Sequence, residues 1–113
     1  MKTALLIALT IVASPYAYAG GDMAAGAAKS KPCAACHGAD FNMSISPDIP
    51  RLAGQHADFL ARALTDYKSG ARKNAIMNGQ AAALSPQDIQ DLAAYFHGLS
   101  GKLKVIPLHR LVQ

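Results

Sequence analysis

The stretch Cys33-Ala34-Ala35-Cys36-His37 constrains this chain more than any other feature of its sequence. Two thiols separated by two residues and followed directly by an imidazole are typical of a c-type haem attachment site. The thiols add to the two vinyl groups of one porphyrin, and the adjacent imidazole reaches the iron. The motif therefore predicts one covalent haem c, attached through Cys33 and Cys36, with His37 as the proximal ligand of the iron.

Other sites that use paired cysteines fit this chain less well, because it contains only 2 cysteines. A structural zinc site needs four ligands, usually including two histidines three to five residues apart. His56, His97 and His109 form no such pair. A thiol-disulfide exchange centre is expected beside alternating strands and helices, and the sequence around the motif has no strand periodicity. A structural disulfide that closes so short a loop would contribute little stability.

Residues 1–19 have the pattern of a secretory signal peptide. Lys2 supplies a positive start, an uncharged apolar run extends from Ala4 to Ala13, and Ala17-Tyr18-Ala19 forms a small-x-small cleavage site. The run is shorter than the roughly 20 residues that span a bilayer, so an uncleaved anchor is the less favoured alternative. We expect cleavage, no stable membrane insertion afterwards, and a periplasmic mature protein, since haem is attached to cysteines outside the bacterial cytoplasm.

The remaining sequence is short for a core of its own. Below about a hundred residues apolar burial gives only marginal stability, which a covalent, largely apolar cofactor would increase. We expect one domain, residues 20–101, built round one haem, followed by a C-terminal tail, residues 102–113. The formal net charge is +4. Because Lys2 leaves with the signal and two haem propionates offset much of the rest, this charge weakly favours an acidic protein partner and argues against nucleic acid.

Helical periodicity and capping residues predict an all-α fold. A first helix is expected from Asp22 towards Cys33, with Pro32 ending or kinking it. Residues 38–54 have no sustained period and predict a loop. A second helix is expected from about His56 to Ser69, stopped by the glycine that follows.

The second half of the chain ends in the best helix signals of the sequence. Residues 71–84, which include Met77, are expected to form a second irregular stretch. The last helix should begin at Ser85, followed by Pro86 at the first helical position and Asp88 completing a capping box. Gly98 or Gly101 should end it.

This order of elements resembles a class I c-type cytochrome, and its motifs are similar to the bacterial cytochrome c-four and c-five-five-three branch. The resemblance extends from Gly21 to about Leu99 and is carried by the fragments Cys33-Ala34-Ala35-Cys36-His37-Gly38, Arg51-Leu52-Ala53-Gly54-Gln55, Tyr67-Lys68-Ser69-Gly70, Leu84-Ser85-Pro86-Gln87-Asp88-Ile89 and Asp91-Leu92-Ala93-Ala94-Tyr95-Phe96. It implies a class I cytochrome c fold whose N- and C-terminal helices cross. It also implies a periplasmic one-electron carrier, not an enzyme, whose partners are redox proteins such as a terminal oxidase, reductase or dehydrogenase.

The resemblance also assigns roles to single residues. Met77 matches the distal sulfur ligand of the iron. Pro47 matches the proline whose carbonyl accepts the proton on the outer nitrogen of the proximal histidine. Gly26 and either Tyr95 or Phe96 match the positions at which the first and last helices of the family cross. Arg51, Gln55 and Arg72 lie where contacts to the haem propionates are plausible, and a solvated surface position is the favoured alternative for any one of them.

Other candidates for the distal ligand are less well placed. Met23 belongs to the first helix, Met43 follows the haem motif closely, and His56 and His97 lie at helix ends, where imidazoles are ordinarily solvated. A haem enzyme or gas sensor would need an open distal site, so Met77 favours the carrier. A cytochrome subunit of a larger periplasmic dehydrogenase stays a second alternative. Partner association is expected to be steered by a basic cluster round the haem, formed by Lys29, Lys31, Lys68, Arg72 and Lys73, and the alternative is that these charges are a scattered solvated surface.

Overall fold

The computed structural model describes residues 20–103, which form five α-helices and no strand. The helices are α1 (Met23–Lys29), α2 (Lys31–His37), α3 (Ala57–Ser69), α4 (Ala75–Ala82) and α5 (Pro86–Gly98). The predicted all-α fold is therefore confirmed. The predicted signal peptide, residues 1–19, and residues 104–113 of the tail lie outside the described residues.

Helix ends follow the capping residues of the sequence. The Asp22 carboxylate accepts hydrogen bonds from Ala24 N and Ala25 N at 2.7 and 3.1 Å, which caps α1. At the start of α5, Ser85 and Asp88 form the predicted capping box. Gly70 ends α3 in the left-handed conformation, with φ of 79°, which a glycine adopts without strain.

The haem motif lies on a helix of its own, α2, which the sequence did not predict as a separate element. Pro32 falls in the first turn of α2 and so begins this helix as well as separating it from α1. Proline is tolerated there because the first amides of a helix have no intrahelical partner.

Residues 71–84 differ from the prediction of an irregular stretch, because Ala75–Ala82 form α4 and Met77 lies within it. The Asn74 side chain caps this helix by accepting a hydrogen bond from Met77 N at 3.0 Å. The inner face of α4 packs against α3, and α4 packs against no other helix among the described residues. Cap and tertiary contact thus compensate for a sequence that has little helical periodicity.

The crossing of α1 and α5 is the most extensive contact between two of the described helices, and it confirms the crossing implied by the family resemblance. At Gly26 of α1, an added Cβ would collide with the carbonyl group of Asp91 in α5 and would lie 2.7 Å from the Cβ of Tyr95. Only glycine permits the two backbones to approach this closely.

The core lies beside this crossing and is centred on aromatic side chains. Phe41 packs edge-on against Phe96, with ring centroids 4.8 Å apart, and against Tyr95 at 6.0 Å. The buried core residues are Phe41, Ala53, Leu60, Leu92, Ala93 and Phe96. Within residues 20–103, no helix is sufficiently long and apolar to cross a membrane.

Candidate functional site

The two cysteines and the histidine of the motif share one side of α2. Residues three and four positions apart in a helix lie on one face, so Cys33 is adjacent to both Cys36 and His37. All three side chains line one cavity of about 730 Å³. His37 is buried, and the two cysteines are half-buried.

The His37 ring is held by a backbone carbonyl. His37 Nδ1 lies 2.8 Å from the carbonyl oxygen of Pro50. Because a carbonyl oxygen can only accept, Nδ1 carries the proton in this contact and Nε2 keeps the lone pair that a metal would bind. Such a hydrogen bond also fixes the orientation of the ring and raises its basicity.

The carbonyl that holds His37 was expected from Pro47, and that assignment is wrong. Residues 43–47 pass the C-terminal end of α2, where Ile45 N donates to Cys36 O at 3.0 Å. Pro47 lines a separate, open hollow of about 320 Å³. The residues that follow Pro50 are held by Phe41 instead. The carbonyl oxygen of Phe41 accepts hydrogen bonds from Leu52 N at 2.9 Å and from Ala53 N at 3.1 Å, which keeps Pro50 beside the His37 ring.

Phe41 makes these two hydrogen bonds from a left-handed backbone conformation, with a φ of 56°, which is uncommon for a residue other than glycine. The left-handed backbone turns its carbonyl towards Leu52 and Ala53, while its ring stays in the core. The sequence carries no local signal for this turn, because phenylalanine does not favour it.

The surroundings of Cys33 argue against a role of this thiol in thiol-disulfide exchange. Burial raises the pKa of the Cys33 thiol above its ordinary value, and a backbone hydrogen bond lowers it by less. Reactive exchange thiols have lowered pKa values, because the thiolate is the nucleophile. Cys33 lacks this property.

Met77 reaches the cavity from α4, a helix remote in sequence from the haem motif. It is half-buried and lines the same cavity as His37. The other methionines considered for this role, Met23 and Met43, are exposed and do not line the cavity. Neither do His56 and His97, whereas His109 lies outside the described residues.

Apolar side chains form most of the cavity wall between these groups. They come from α3, α4 and α5 and include Phe59, Leu60, Leu64, Ile76, Leu92 and Phe96. Phe59 and Ile76 are 51% and 67% exposed, which places apolar surface at the cavity mouth. The three residues predicted to contact propionates, Arg51, Gln55 and Arg72, also line the cavity.

The site fits a covalent haem in shape and chemistry. A large apolar cavity suits a porphyrin, two thiols on one helix face can form thioethers with it, and an imidazole nitrogen and a thioether are ligands that iron accepts. Arginines at the wall suit the negatively charged propionates.

The comparison with known proteins agrees with this chemistry. The family model described as cytochrome c matches residues 23–100. The chain belongs to the cytochrome c family. Its cofactor is one haem c, bound covalently through Cys33 and Cys36.

Similar proteins within the family include cytochromes c4. The chain is 45% identical over 95 residues to cytochrome c4 of Pseudomonas aeruginosa, which covers 84% of this chain and 47% of that protein. It is 43% identical over 79 residues to cytochrome c-554(548) of Halomonas halodenitrificans, covering 67% of this chain and 94% of that protein. The crystal structure of reduced recombinant cytochrome c4 from Pseudomonas stutzeri matches with a TM-score of 0.68 and 41% identity, covering 74% of this chain and 48% of that chain. The chain thus spans about half the length of the cytochromes c4 that it matches.

Proposed function

We propose that this chain is a periplasmic one-electron carrier, with His37 and Met77 as the two axial ligands of its haem iron. The observation that carries the proposal is the presence of both side chains in the wall of one apolar cavity, one from α2 and one from α4. When both axial positions are taken by protein, the iron has no vacant position for a substrate, which suits electron transfer.

The chain's own residues have separate tasks in this function. Cys33 and Cys36 hold the haem, and the Pro50 carbonyl keeps His37 in the tautomer whose Nε2 can bind iron. The apolar wall excludes water, which keeps the electrostatic environment of the iron nearly constant when one electron is gained or lost. The haem supplies the reversible change between ferric and ferrous iron.

Export and organisation are part of the same proposal. Residues 1–19 are a cleaved signal peptide, residues 20–101 are one monohaem domain, and the partners are redox proteins such as a terminal oxidase, reductase or dehydrogenase. The apolar run and cleavage site of the leader support export. The similarity to cytochromes c4 supports electron transfer.

Replacing Met77 tests the ligand assignment. A thioether is a soft ligand that favours ferrous iron, so Met77→Ala should lower the reduction potential, by on the order of a hundred millivolts within the ~0.8 V that axial ligands span. The weak red absorption of thioether-ligated ferric haem should disappear, and the ferrous protein should bind carbon monoxide. Visible spectra and potentiometry of the purified haem protein measure these changes.

Met43→Ala is the matched control, because Met43 is 67% exposed and does not line the cavity. It should keep the parent spectrum and potential. A Met77→Ala protein that also kept them would show that another group is the distal ligand. Avid carbon monoxide binding by the unaltered protein would favour the gas sensor or haem enzyme instead.

A further inference from the structure

The segment that presents Met77 to the cavity is tied together by one amide side chain. Asn78 Nδ2 donates to the carbonyl oxygens of Tyr67 and Arg72, at 2.6 and 2.9 Å. Asn78 Oδ1 accepts from Asn74 N at 2.9 Å. The side chain thereby joins the end of α3, the loop after it and the start of α4.

These three bonds satisfy both amide protons and the carbonyl oxygen of Asn78. They also define its orientation, since the reversed amide would direct its oxygen at two carbonyl oxygens and its protons at an N–H group. Asparagine is therefore matched to this position by both shape and polarity.

Besides the packing of α4 against α3 and the contact of Arg72 with the Tyr67 ring, the segment closed by Asn78 has few other contacts. Residues 71–76 are all exposed, and none of them belongs to the buried core cluster or is packed against it. The backbone contributes one bond across the loop, from Arg72 N to Asp66 O at 3.0 Å. Such a segment opens locally at small free-energy cost unless polar contacts close it.

The same segment supplies a wall of the haem cavity. Tyr67, Arg72 and Asn74, whose backbone groups Asn78 binds, line the cavity together with Met77. Asn78 directly follows Met77, so a shift of the segment moves the thioether with it. Opening of this loop would therefore also displace Met77.

We propose that Asn78 is the positioning residue that holds Met77 at the haem. This inference rests on the proposed ligation by Met77. Without the Asn78 bonds, the fraction of molecules with Met77 withdrawn rises, and added ligands bind the ferric iron in proportion to that fraction.

Asn78→Asp and Asn78→Ala test the proposal in the intact haem protein. The carboxylate of Asn78→Asp has no proton to donate and would face two carbonyl oxygens, whereas Asn78→Ala removes the bonds without adding repulsion. Imidazole should bind the ferric Asn78→Ala protein on the order of tenfold more tightly than the parent, and the aspartate variant more tightly still. The red absorption should weaken in the same order.

Asn42→Asp is the matched control. Asn42 makes the same three kinds of bond, donating to Asp40 O and Ser100 O, each at 3.1 Å, and accepting from Lys102 N at 2.8 Å. It does not line the haem cavity. Asn42→Asp should lower the thermal unfolding midpoint and leave the red absorption and imidazole affinity at parent values.

The outcomes separate the two proposals. If Met77→Ala removes the red absorption but both Asn78 variants keep the parent absorption and imidazole affinity, Asn78 is only a structural residue and the inference is overturned. An Asn42→Asp protein as perturbed as Asn78→Asp overturns it too, since general loosening would then explain the effect. If the unaltered protein lacks the absorption and Met77→Ala changes nothing, the ligand assignment itself fails and the inference fails with it. Should Asn78→Asp not fold, Asn78→Ala decides alone.

Discussion

At the scale of single residues, a buried carboxylate supports the helix crossing next to the haem site. Asp91 is only 3% exposed. Its Oδ1 accepts hydrogen bonds from Asp22 N and from Gln87 Nε2, both at 2.8 Å. Lys29 Nζ lies 3.7 Å from its other oxygen. Asp91 thus connects α5, which carries part of the core, to Asp22, the capping residue of α1.

These contacts make the stability of the crossing depend on pH. The Asp22 amide first, and then the Gln87 side chain and Lys29, lower the pKa of Asp91 below its ordinary value of 3.8. The depressed pKa means that the folded protein favours the charged carboxylate. Its stabilising effect is therefore complete above that ordinary value and is lost as the pH falls through the lower pKa of the folded state.

Asp91→Asn should therefore destabilise the haem protein most at neutral pH. The difference in thermal unfolding midpoint between parent and variant should be large at pH ~7 and should shrink as the pH falls below ~3.8, because this carboxylate then becomes protonated first in the unfolded state and only at lower pH in the folded parent. Asp58→Asn, which changes an exposed carboxylate in the first turn of α3, is the control. A difference that stays constant across the whole pH range would contradict the role given to Asp91.

The sequence identified the residues whose signal is local, and missed those whose role depends on distant backbone. Cys33, Cys36 and His37 form a contiguous motif, whereas the ligand role of Met77 was assigned through the family resemblance and stays a prediction. Pro50 and Asn78 act through hydrogen bonds with residues 13 and 11 positions away. No rule based on sequence spacing predicts such bonds. The left-handed turn at Phe41 and the conformation of the loop after α3 determine which backbone groups these side chains can reach.

At the scale of elements, capping residues predicted the fold where they were strong. The capping box of α5 and the terminating glycine of α3 are both observed. The short helices α2 and α4 were missed, since isolated helices of this length are marginal and tertiary contacts decide whether they form. In α4, Lys68 of α3 adds such a contact by donating to the carbonyl of Ala82 at 2.8 Å.

Two glycines in helices allow the α1–α5 crossing to be tested directly. Alanine is favoured over glycine by about 1 kcal/mol within a helix. At Gly26 this gain is opposed by collision with the backbone of Asp91, which no side-chain rotation relieves. Overpacking costs typically ~1–3 kcal/mol, and a backbone collision belongs to the upper part of that range. We expect Gly26→Ala to lower the free energy of unfolding by roughly 1–2 kcal/mol.

Gly79→Ala provides the comparison, because a Cβ at Gly79 of α4 would meet nothing within 4 Å. This variant should gain about 0.5–1 kcal/mol from helix propensity alone. Denaturant unfolding of the two haem proteins measures both effects. Equal stabilisation by the two alanines would show that α1 and α5 do not approach closely at Gly26.

At the scale of the whole molecule, the basic residues expected to form one docking cluster have different surroundings. Lys29 lines the cavity, but its ammonium lies 3.1 Å from Asp88 and 3.7 Å from Asp91, so its charge is largely compensated. Arg72 also lines the cavity and lies over the Tyr67 ring at 4.9 Å. Lys31 and Lys73 are exposed. Arg51, which was not counted in the cluster, lines the cavity as well.

Electrostatic steering should therefore depend on where a positive charge lies as well as on the total charge. Lys73 is exposed between Arg72 and Asn74, two cavity-lining residues, whereas Arg62 is paired with Asp66 on the exposed face of α3. Lys73→Gln and Arg62→Gln reduce the net charge equally, but they differ in where the charge lies and in the carboxylate that compensates Arg62. The Debye length is about 10 Å at 0.1 M salt, which limits the field of each charge to its neighbourhood. Oxidation of the ferrous protein by the anion hexacyanoferrate(III) should slow with rising ionic strength, and at about 0.1 M salt Lys73→Gln should slow it roughly threefold while Arg62→Gln has a smaller effect. Stopped-flow rates measured against salt concentration test this prediction. A rate that does not change with ionic strength, or equal effects of the two substitutions, would show that positive charge near the cavity does not steer association.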